Sequence, residues 1–102
     1  MVGFRAGGES RLDVLALVML AQTFDGIEDI VLNDDGEHQN QVTLWFDDQE
    51  HAQAAQWMLE AAGAERVEVV HKPGFDMAIL RDPQGVAVQL IKRATPIAMP
   101  PR

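Results

Sequence analysis

Residues 76–93, DMAILRDPQGVAVQLIKR, read as two short strands joined by a tight turn. The apolar, partly β-branched runs on either side of the turn are typical of strands. Between them, Asp82 can accept hydrogen bonds at the first turn position, Pro83 fixes φ at the second, and Gly85 relieves the fourth, which predicts a type I turn. Gln89 is the one polar residue in the second predicted strand, so the face of the sheet on which it lies matters for function.

The composition predicts one globular domain, residues 1–102, without nucleic-acid chemistry. The chain carries a net charge of −8 and contains no cysteine. The lack of cysteine excludes a disulfide framework, a thiolate metal site and a cysteine nucleophile. Because phosphate binding needs a basic surface, we expect no nucleic-acid partner. The negative charge would attract a cationic ligand, although its simplest role is solubility.

The sequence predicts neither a signal peptide nor a membrane span. The first residues lack the charged and then apolar layout of a secretory signal. No apolar run approaches the roughly 20 residues that a membrane-spanning helix needs. We therefore expect a cytoplasmic protein with no membrane partner.

The first 40 residues lie outside any recognisable motif. Residues 1–9 carry three glycines and no periodic pattern, and we expect them to form a loose lead-in. Residues 10–40 are expected to form an N-terminal extension with a helix and a strand. Ser10, with Asp13 three residues on, resembles a helix cap. The run 12–20 is apolar nearly all round, however, and periodicity alone leaves it open between helix and strand.

Clean alternation of apolar and polar residues begins at residue 41 and predicts a strand. One face of this strand is apolar and is the natural core face: Val42, Leu44 and Phe46. The other face mixes an amide, a hydroxyl and an aromatic ring: Gln41, Thr43 and Trp45. The mixed face suits a wet cavity or a partner surface.

A helix and further strands follow. Asp47 or Asp48 opens the helix, Gly63 closes it, and residues 66–72 alternate as a strand before the hairpin. Residues 94–102 contain three prolines, and we expect a flexible tail there. The predicted fold class is α+β, with a largely antiparallel sheet that helices cover on one face only.

The order strand–helix–strand–strand–strand and the closing pattern Arg-Asp-Pro-x-Gly-x-x-Val-x-Leu-Ile at residues 81–91 resemble the vicinal oxygen chelate superfamily. This superfamily includes glyoxalases, extradiol dioxygenases and bleomycin-resistance proteins. The resemblance implies a βαβββ module with a cupped sheet over residues 41–93, added to the N-terminal helix and strand. Because members usually pair two such modules, it also implies a homodimer.

The resemblance also implies which residues line the site. Gln41 and Gln89 match the positions of the histidine and glutamate that bind metal in the metal-dependent members. Two neutral amides supply no anionic charge for a divalent ion, so we expect neither a metal site nor a cofactor. Strand alternation could turn His71 toward the same cavity. The candidate ligand-binding residues are Gln41, Thr43, Trp45, His71 and Gln89.

Three functions remain open at this point. The first is metal-free binding of a small planar or cationic molecule in the cavity of a homodimer, with Trp45 stacking on the ligand and the amides orienting it. The second is a lyase or dioxygenase of the same superfamily whose altered metal site uses Gln41, His71 and Gln89. The third is a dimeric interaction module without a small-molecule site, which the apolar run 12–20 favours.

Overall fold

A computed structural model of the chain describes residues 2–33, 40–82 and 85–94. These residues form an α+β fold with one five-stranded sheet and three helices. In chain order the elements are β1 (Val2–Gly8), α1 (Arg11–Ala21), β2 (Ile27–Asn33), β3 (Gln41–Phe46), α2 (Gln49–Ala62), β4 (Glu65–Lys72), β5 (Phe75–Asp82) and α3 (Val86–Ala94). The strand order in the sheet is β2-β3-β1-β5-β4.

The sheet is mixed. β1 runs parallel to β5, whereas the pairs β1–β3, β2–β3 and β4–β5 are antiparallel. In the described part of the chain, no helix has the length and apolar character needed to cross a membrane.

The helices cover one face of the sheet, which we call the helix side. The residues predicted for the core face of β3 are fully buried there, so that prediction is confirmed. The core contains Phe4, Ala6, Val42, Leu44, Phe46 and Leu80 from the strands and Leu17, Leu20, Ala52, Leu59 and Ala87 from the helices. The opposite face, which we call the open face, has no helix packed against it among the described residues.

The N-terminal residues are not a loose lead-in, because Val2–Gly8 forms the central strand of the sheet. Its alternation is hard to read in the sequence since glycines occupy most of one face. At Gly3, a Cβ atom would overlap with the carbonyl oxygen of Leu44 and lie 3.0 Å from the Trp45 ring. Glycine is therefore needed where the neighbouring strand and its indole approach closely.

Residues 12–20 belong to a helix, which resolves the alternative that periodicity left open. Ser10 is the N-cap of α1, and its side chain and that of Asp13 form the predicted reciprocal capping arrangement. Asp13 Oδ2 accepts hydrogen bonds from the backbone N–H groups of Glu9 at 3.1 Å and Ser10 at 3.0 Å. These bonds satisfy the unpaired donors at the start of the helix.

The largest departure from prediction is α3, which replaces the second strand of the expected hairpin. Asp82 is buried, and its carboxylate accepts hydrogen bonds from the backbone N–H of Val86 at 2.7 Å and of Ala87 at 3.0 Å. A carboxylate that accepts two N–H groups stabilises a helix start. Asp82 was predicted as the first residue of a turn, but its side chain starts a helix.

The apolar residues of this segment also fit a helix. Val86 and Ala87 are buried and Leu90 and Ile91 pack against the core, a spacing that places them on one helical face. Read with a period of two, the same residues give an apolar strand, which is why the sequence was ambiguous. The βαβββ module expected over 41–93 is therefore not confirmed.

Some predictions concern positions without a described structure. The positions outside the described residues are residues 34–39 of the expected N-terminal extension, the Pro83 and Gln84 part of the predicted turn, and residues 95–102 of the predicted tail.

Candidate functional site

The open face contains a concavity of about 430 Å³ that extends over β2, β3, β1 and β5, which we call the open-face trough. Its volume lies within the range of small-molecule pockets. The trough is lined by Arg5, Val31, Thr43, Trp45, Pro73, Phe75 and Met77. Thr43 and Trp45 were predicted for this face, whereas Arg5 and Phe75 come from strands whose contribution the sequence did not indicate.

The central strand forms the floor of the open-face trough. On β1, Gly3 lies opposite Trp45 and Arg5 lies opposite Thr43 in the β1–β3 register. Since Gly3 has no side chain, the indole of Trp45 reaches across it to Phe75 on β5. The two rings meet edge to face, with centroids 5.8 Å apart and an interplanar angle of 76°. This geometry is favourable for an aromatic pair and gives the trough one rigid aromatic wall.

Arg5 supplies the charge of the open-face trough. Its Nε donates to Thr43 Oγ1 at 3.4 Å, and its side chain is half-buried. Within the described residues, no carboxylate forms an ion pair with Arg5. A guanidinium carries five N–H donors in a planar fork, so Arg5 keeps donors for a planar anion such as a carboxylate.

Gln41 lies on the open face but at its other end. Its methylene chain packs over Gly7, and its Oε1 is buried with no hydrogen-bond partner among the residues that the structure describes. It borders a smaller concavity of about 230 Å³ together with Arg81 and Glu9. Arg81 donates to Glu9 Oε1 through Nη2 at 2.6 Å, and this bond raises the pKa of Arg81. Gln41 therefore shares a face, but not a cavity, with Trp45.

The other two predicted site residues do not lie on the open face. His71 lies opposite Asp76 near the end of the edge pair β4–β5, with its Nδ1 2.6 Å from Asp76 Oδ1 and 82% of its side chain exposed. Gln89 is exposed on α3, on the helix side. The ligand set Gln41, His71 and Gln89 that the second function requires is thus not brought together.

Sequence reasoning missed a further concavity, which lies on the helix side where the three helices meet. We call it the three-helix pocket, and its volume is about 370 Å³. Its apolar wall consists of Leu20, Phe24, Ala54, Ala55, Met58 and Leu90. Its polar side chains are Thr23, Asp25 and His51.

His51 is held at the rim of the three-helix pocket by acidic neighbours. Its Nδ1 lies 2.7 Å from Asp47 Oδ1 and 3.4 Å from Asp48 Oδ1. The hydrogen bond with Asp47 raises the pKa of His51 and lowers that of Asp47. The sequence signal was present as Asp-Asp-x-x-His at a helix start, but it is equally typical of ordinary capping.

Among the described residues, Asp47, Asp48 and His51 also have the spacing of metal ligands. One ligand atom from each of Asp47, Asp48 and His51 lies within 4.8 Å of the others. All three are substantially exposed. Asp48 caps α2 by accepting from the His51 N–H at 2.9 Å, and Asp47 is paired with the His51 ring, so capping and this pair explain the arrangement.

Comparison with known proteins adds no relative, since no family model, curated protein or solved structure matches the chain. The resemblance to the vicinal oxygen chelate superfamily therefore rests on the quoted residues of the sequence and stays a prediction.

Proposed function

We propose that the protein binds a small planar molecule carrying an anionic group in the open-face trough. The proposal retains the metal-free ligand binding expected from the sequence but changes the charge of the ligand. The observation that carries it is the Arg5 guanidinium, which lines the trough beside the Trp45–Phe75 pair and has no carboxylate partner among the described residues.

The chemistry of the lining supports a planar anion. Trp45 and Phe75 offer an extended aromatic surface at low conformational cost, since each side chain has two rotatable bonds. Arg5 can bind a carboxylate with two parallel hydrogen bonds, which fixes the orientation of the ligand as well as its charge. The trough has no acid among its described lining residues, so an anionic group meets no local repulsion there.

Tryptophan fluorescence is the direct test, in a Trp57→Phe background so that Trp45 alone reports. Trp57 is exposed on α2 and does not line the trough. The titrants are 2-naphthoate, the neutral 2-naphthamide and the cationic 2-naphthylmethylamine, which share a flat ring system. We expect saturable quenching with the carboxylate and much weaker binding of the other two.

Arg5→Gln should weaken naphthoate binding by about 10-fold or more, since a charge-assisted bond to a partly buried group is lost. Arg11→Gln is the matched control, because Arg11 is exposed on α1 and loses the same charge. Equal affinity for the three titrants, or equal weakening by the two substitutions, would overturn the proposal. So would the absence of saturable binding to the carboxylate.

A dimeric interaction module is the second candidate, and one observation favours it. Leu12, Leu15 and Met19 of α1 are each more than half exposed, and their spacing places them on one stripe of the helix. We infer a second copy of the chain as the occupant, because an isologous dimer pairs a stripe with itself. Such a dimer would leave the open-face trough uncovered, unlike the cavity-forming dimer that the resemblance implies.

Sedimentation equilibrium tests the dimer. The parent chain should be dimeric at about 100 μM, Leu15→Lys should be monomeric, and Leu32→Lys should remain dimeric. Leu32 is equally exposed but lies on the edge strand β2. A monomeric parent chain, or a dimer that survives Leu15→Lys, would remove this candidate.

A further inference from the structure

The three-helix pocket is independent of the open-face trough, because the sheet separates them. Its wall is built from aliphatic, aromatic and thioether groups, with Leu20 and Ala55 buried in the core below it. A cavity of this size and apolar character can bury most of a small ligand. The wall thus determines that the body of any occupant is apolar.

The described polar side chains of this pocket present hydrogen-bond acceptors. Thr23 uses its hydroxyl proton to donate to the Leu20 carbonyl oxygen at 2.6 Å, which leaves Oγ1 as an acceptor. Asp25 contributes a carboxylate. His51 directs Nδ1 at Asp47, so the neutral ring carries its proton there and Nε2 is left as an acceptor.

The fold holds the His51–Asp47 pair in place. Gly26, at φ +78°, lies directly beneath it, and a Cβ atom at this position would overlap with Asp47 Oδ1 and His51 Nδ1. The backbone N–H of Asp47 donates to the Gly26 carbonyl oxygen at 2.8 Å. The rim of the pocket is therefore built jointly by the turn before β2 and the start of α2.

We propose that the three-helix pocket binds a small organic cation with an apolar body, such as an ammonium group on an aliphatic ring or chain. An ammonium group has three hydrogen-bond donors and no acceptor. It therefore complements a pocket whose described polar side chains are acceptors. Its charge complements Asp25 in the lining and Asp47 and Asp48 behind His51. No lysine or arginine occurs among the described lining residues to oppose it.

Other occupants fit less well. An anion would face three carboxylates, and a neutral alcohol supplies one donor to several acceptors. A metal ion would use the carboxylates but not the apolar wall. Cation binding in this pocket would give some of the acidic residues of the chain a specific role. The open-face trough, which contains Arg5, carries the opposite charge.

Isothermal titration calorimetry at about pH 8 tests the proposal with three matched probes: cyclohexylmethylamine, cyclohexylmethanol and cyclohexanecarboxylate. We expect the amine to bind at least about 10-fold more tightly than the alcohol, and the carboxylate not to bind. Equal binding of amine and alcohol, or preference for the carboxylate, would overturn the proposal. No measurable binding of the amine at 10 mM would overturn it as well.

Two pairs of variants locate the site. Asp25→Asn should weaken amine binding by about 3-fold, as expected of an exposed charge, whereas Glu28→Gln, an equal charge change outside the pocket, should not. Ala54→Phe should block the pocket and abolish binding, while Gln53→Phe, next to it on α2 but outside the lining, should not. If the blocking variant binds the amine as the parent does, the ligand lies elsewhere and the assignment is wrong.

Discussion

The two faces of the sheet carry concavities of similar size and opposite charge. The open-face trough has the guanidinium of Arg5 beside an aromatic pair. The three-helix pocket has Asp25 and the acid-bound His51 above an apolar wall. The first is built from side chains of strands and of Pro73 in the turn between β4 and β5, and the second from side chains of helices and of the turn after α1.

This difference shows that the net charge of the chain does not determine the charge of an individual concavity. A chain with a net charge of −8 is expected to attract cations, and of the two sites the three-helix pocket is the one with a carboxylate in its described lining. On the open face, alternation along β1 and β3 brings one arginine to a surface without nearby acids among its described lining residues. Local complementarity outweighs distant charge, because solvent screens exposed charges beyond about 10 Å.

Breaking the floor of the open face should have the largest effect on stability. In Gly3→Ala, the new Cβ atom would overlap with the Leu44 carbonyl oxygen and press on the Trp45 ring, so β1 and β3 must separate. We expect a loss of about 3 kcal/mol in the free energy of unfolding, measured in urea.

Gly74→Ala is the control for this substitution. Gly74 has φ +91° and no atom within 4 Å of an added Cβ, so only backbone strain of about 1 kcal/mol is expected. Similar losses in both variants would show that close approach at Gly3 is not the cause.

Breaking the helix side should have the next largest effect. Asp82→Ala removes the buried carboxylate that accepts from Val86 and Ala87 and leaves two N–H groups unpaired, which should cost about 2 kcal/mol in the free energy of unfolding. Asp48→Ala, at the exposed N-cap of α2, should cost about 1 kcal/mol. Because Leu90 of α3 lines the three-helix pocket, Asp82→Ala should also weaken amine binding and leave naphthoate binding unchanged.

Urea denaturation and calorimetry on the same samples measure both consequences. If Asp82→Ala unfolds no more easily than Asp48→Ala, the buried carboxylate does not hold the start of α3. If it weakens naphthoate binding as strongly as amine binding, the two sites are not independent.

The pH dependence of stability should report on the His51–Asp47 pair, which lies on the helix side only. Asp47 holds the pKa of His51 above its ordinary value of 6.5, and His51 holds the pKa of Asp47 below 3.8. The stabilisation from the histidine is fully present below pH 6.5 and is lost as pH rises through the higher folded-state value. The stabilisation from Asp47 is present above pH 3.8 and is lost as the pH falls through the lower pKa that Asp47 has in the folded state.

The pair should therefore stabilise the chain most between about pH 4 and 6.5. Asp47→Asn should lower the pKa of His51, followed by the ring proton resonances, and should reduce the melting temperature more at pH 5.5 than at pH 9. Glu50→Gln is the control, as an exposed acid of α2 outside the pair. An unchanged His51 titration in Asp47→Asn would contradict the pairing.

Gln89→Ala should have the smallest effect of all. Gln89 is exposed on α3 and remote from the open face, so we expect a change within about 0.5 kcal/mol in stability and unchanged naphthoate binding. If residues 86–91 instead formed a strand with Gln89 in the ligand site, the same substitution would weaken naphthoate binding. The titration of Trp45 fluorescence distinguishes the two outcomes.

The sequence by itself determined those features of the protein that depend on a few neighbouring residues. The capping pair Ser10 and Asp13, the C-cap Gly63 and the two faces of β3 are where the sequence placed them, and the N-cap of α2 is Asp48, one of the two residues that the sequence offered. Caps and strand alternation depend on hydrogen bonds and side-chain directions within one or two turns of chain, and these are local properties.

Tertiary structure decided the rest. Val2–Gly8 becomes a central strand only because β3 and β5 pair with it on either side, and its glycines carry little pattern of their own. Val86–Ala94 fits either period, and the buried carboxylate of Asp82 together with the core beneath Ala87 selects the helix. Both concavities follow from tertiary packing: strand pairing brings Arg5, Trp45 and Phe75 to one trough, and helix packing brings Leu90 and His51 to one pocket. Contacts between residues distant in sequence have no local signature, so no pattern along the chain could predict them.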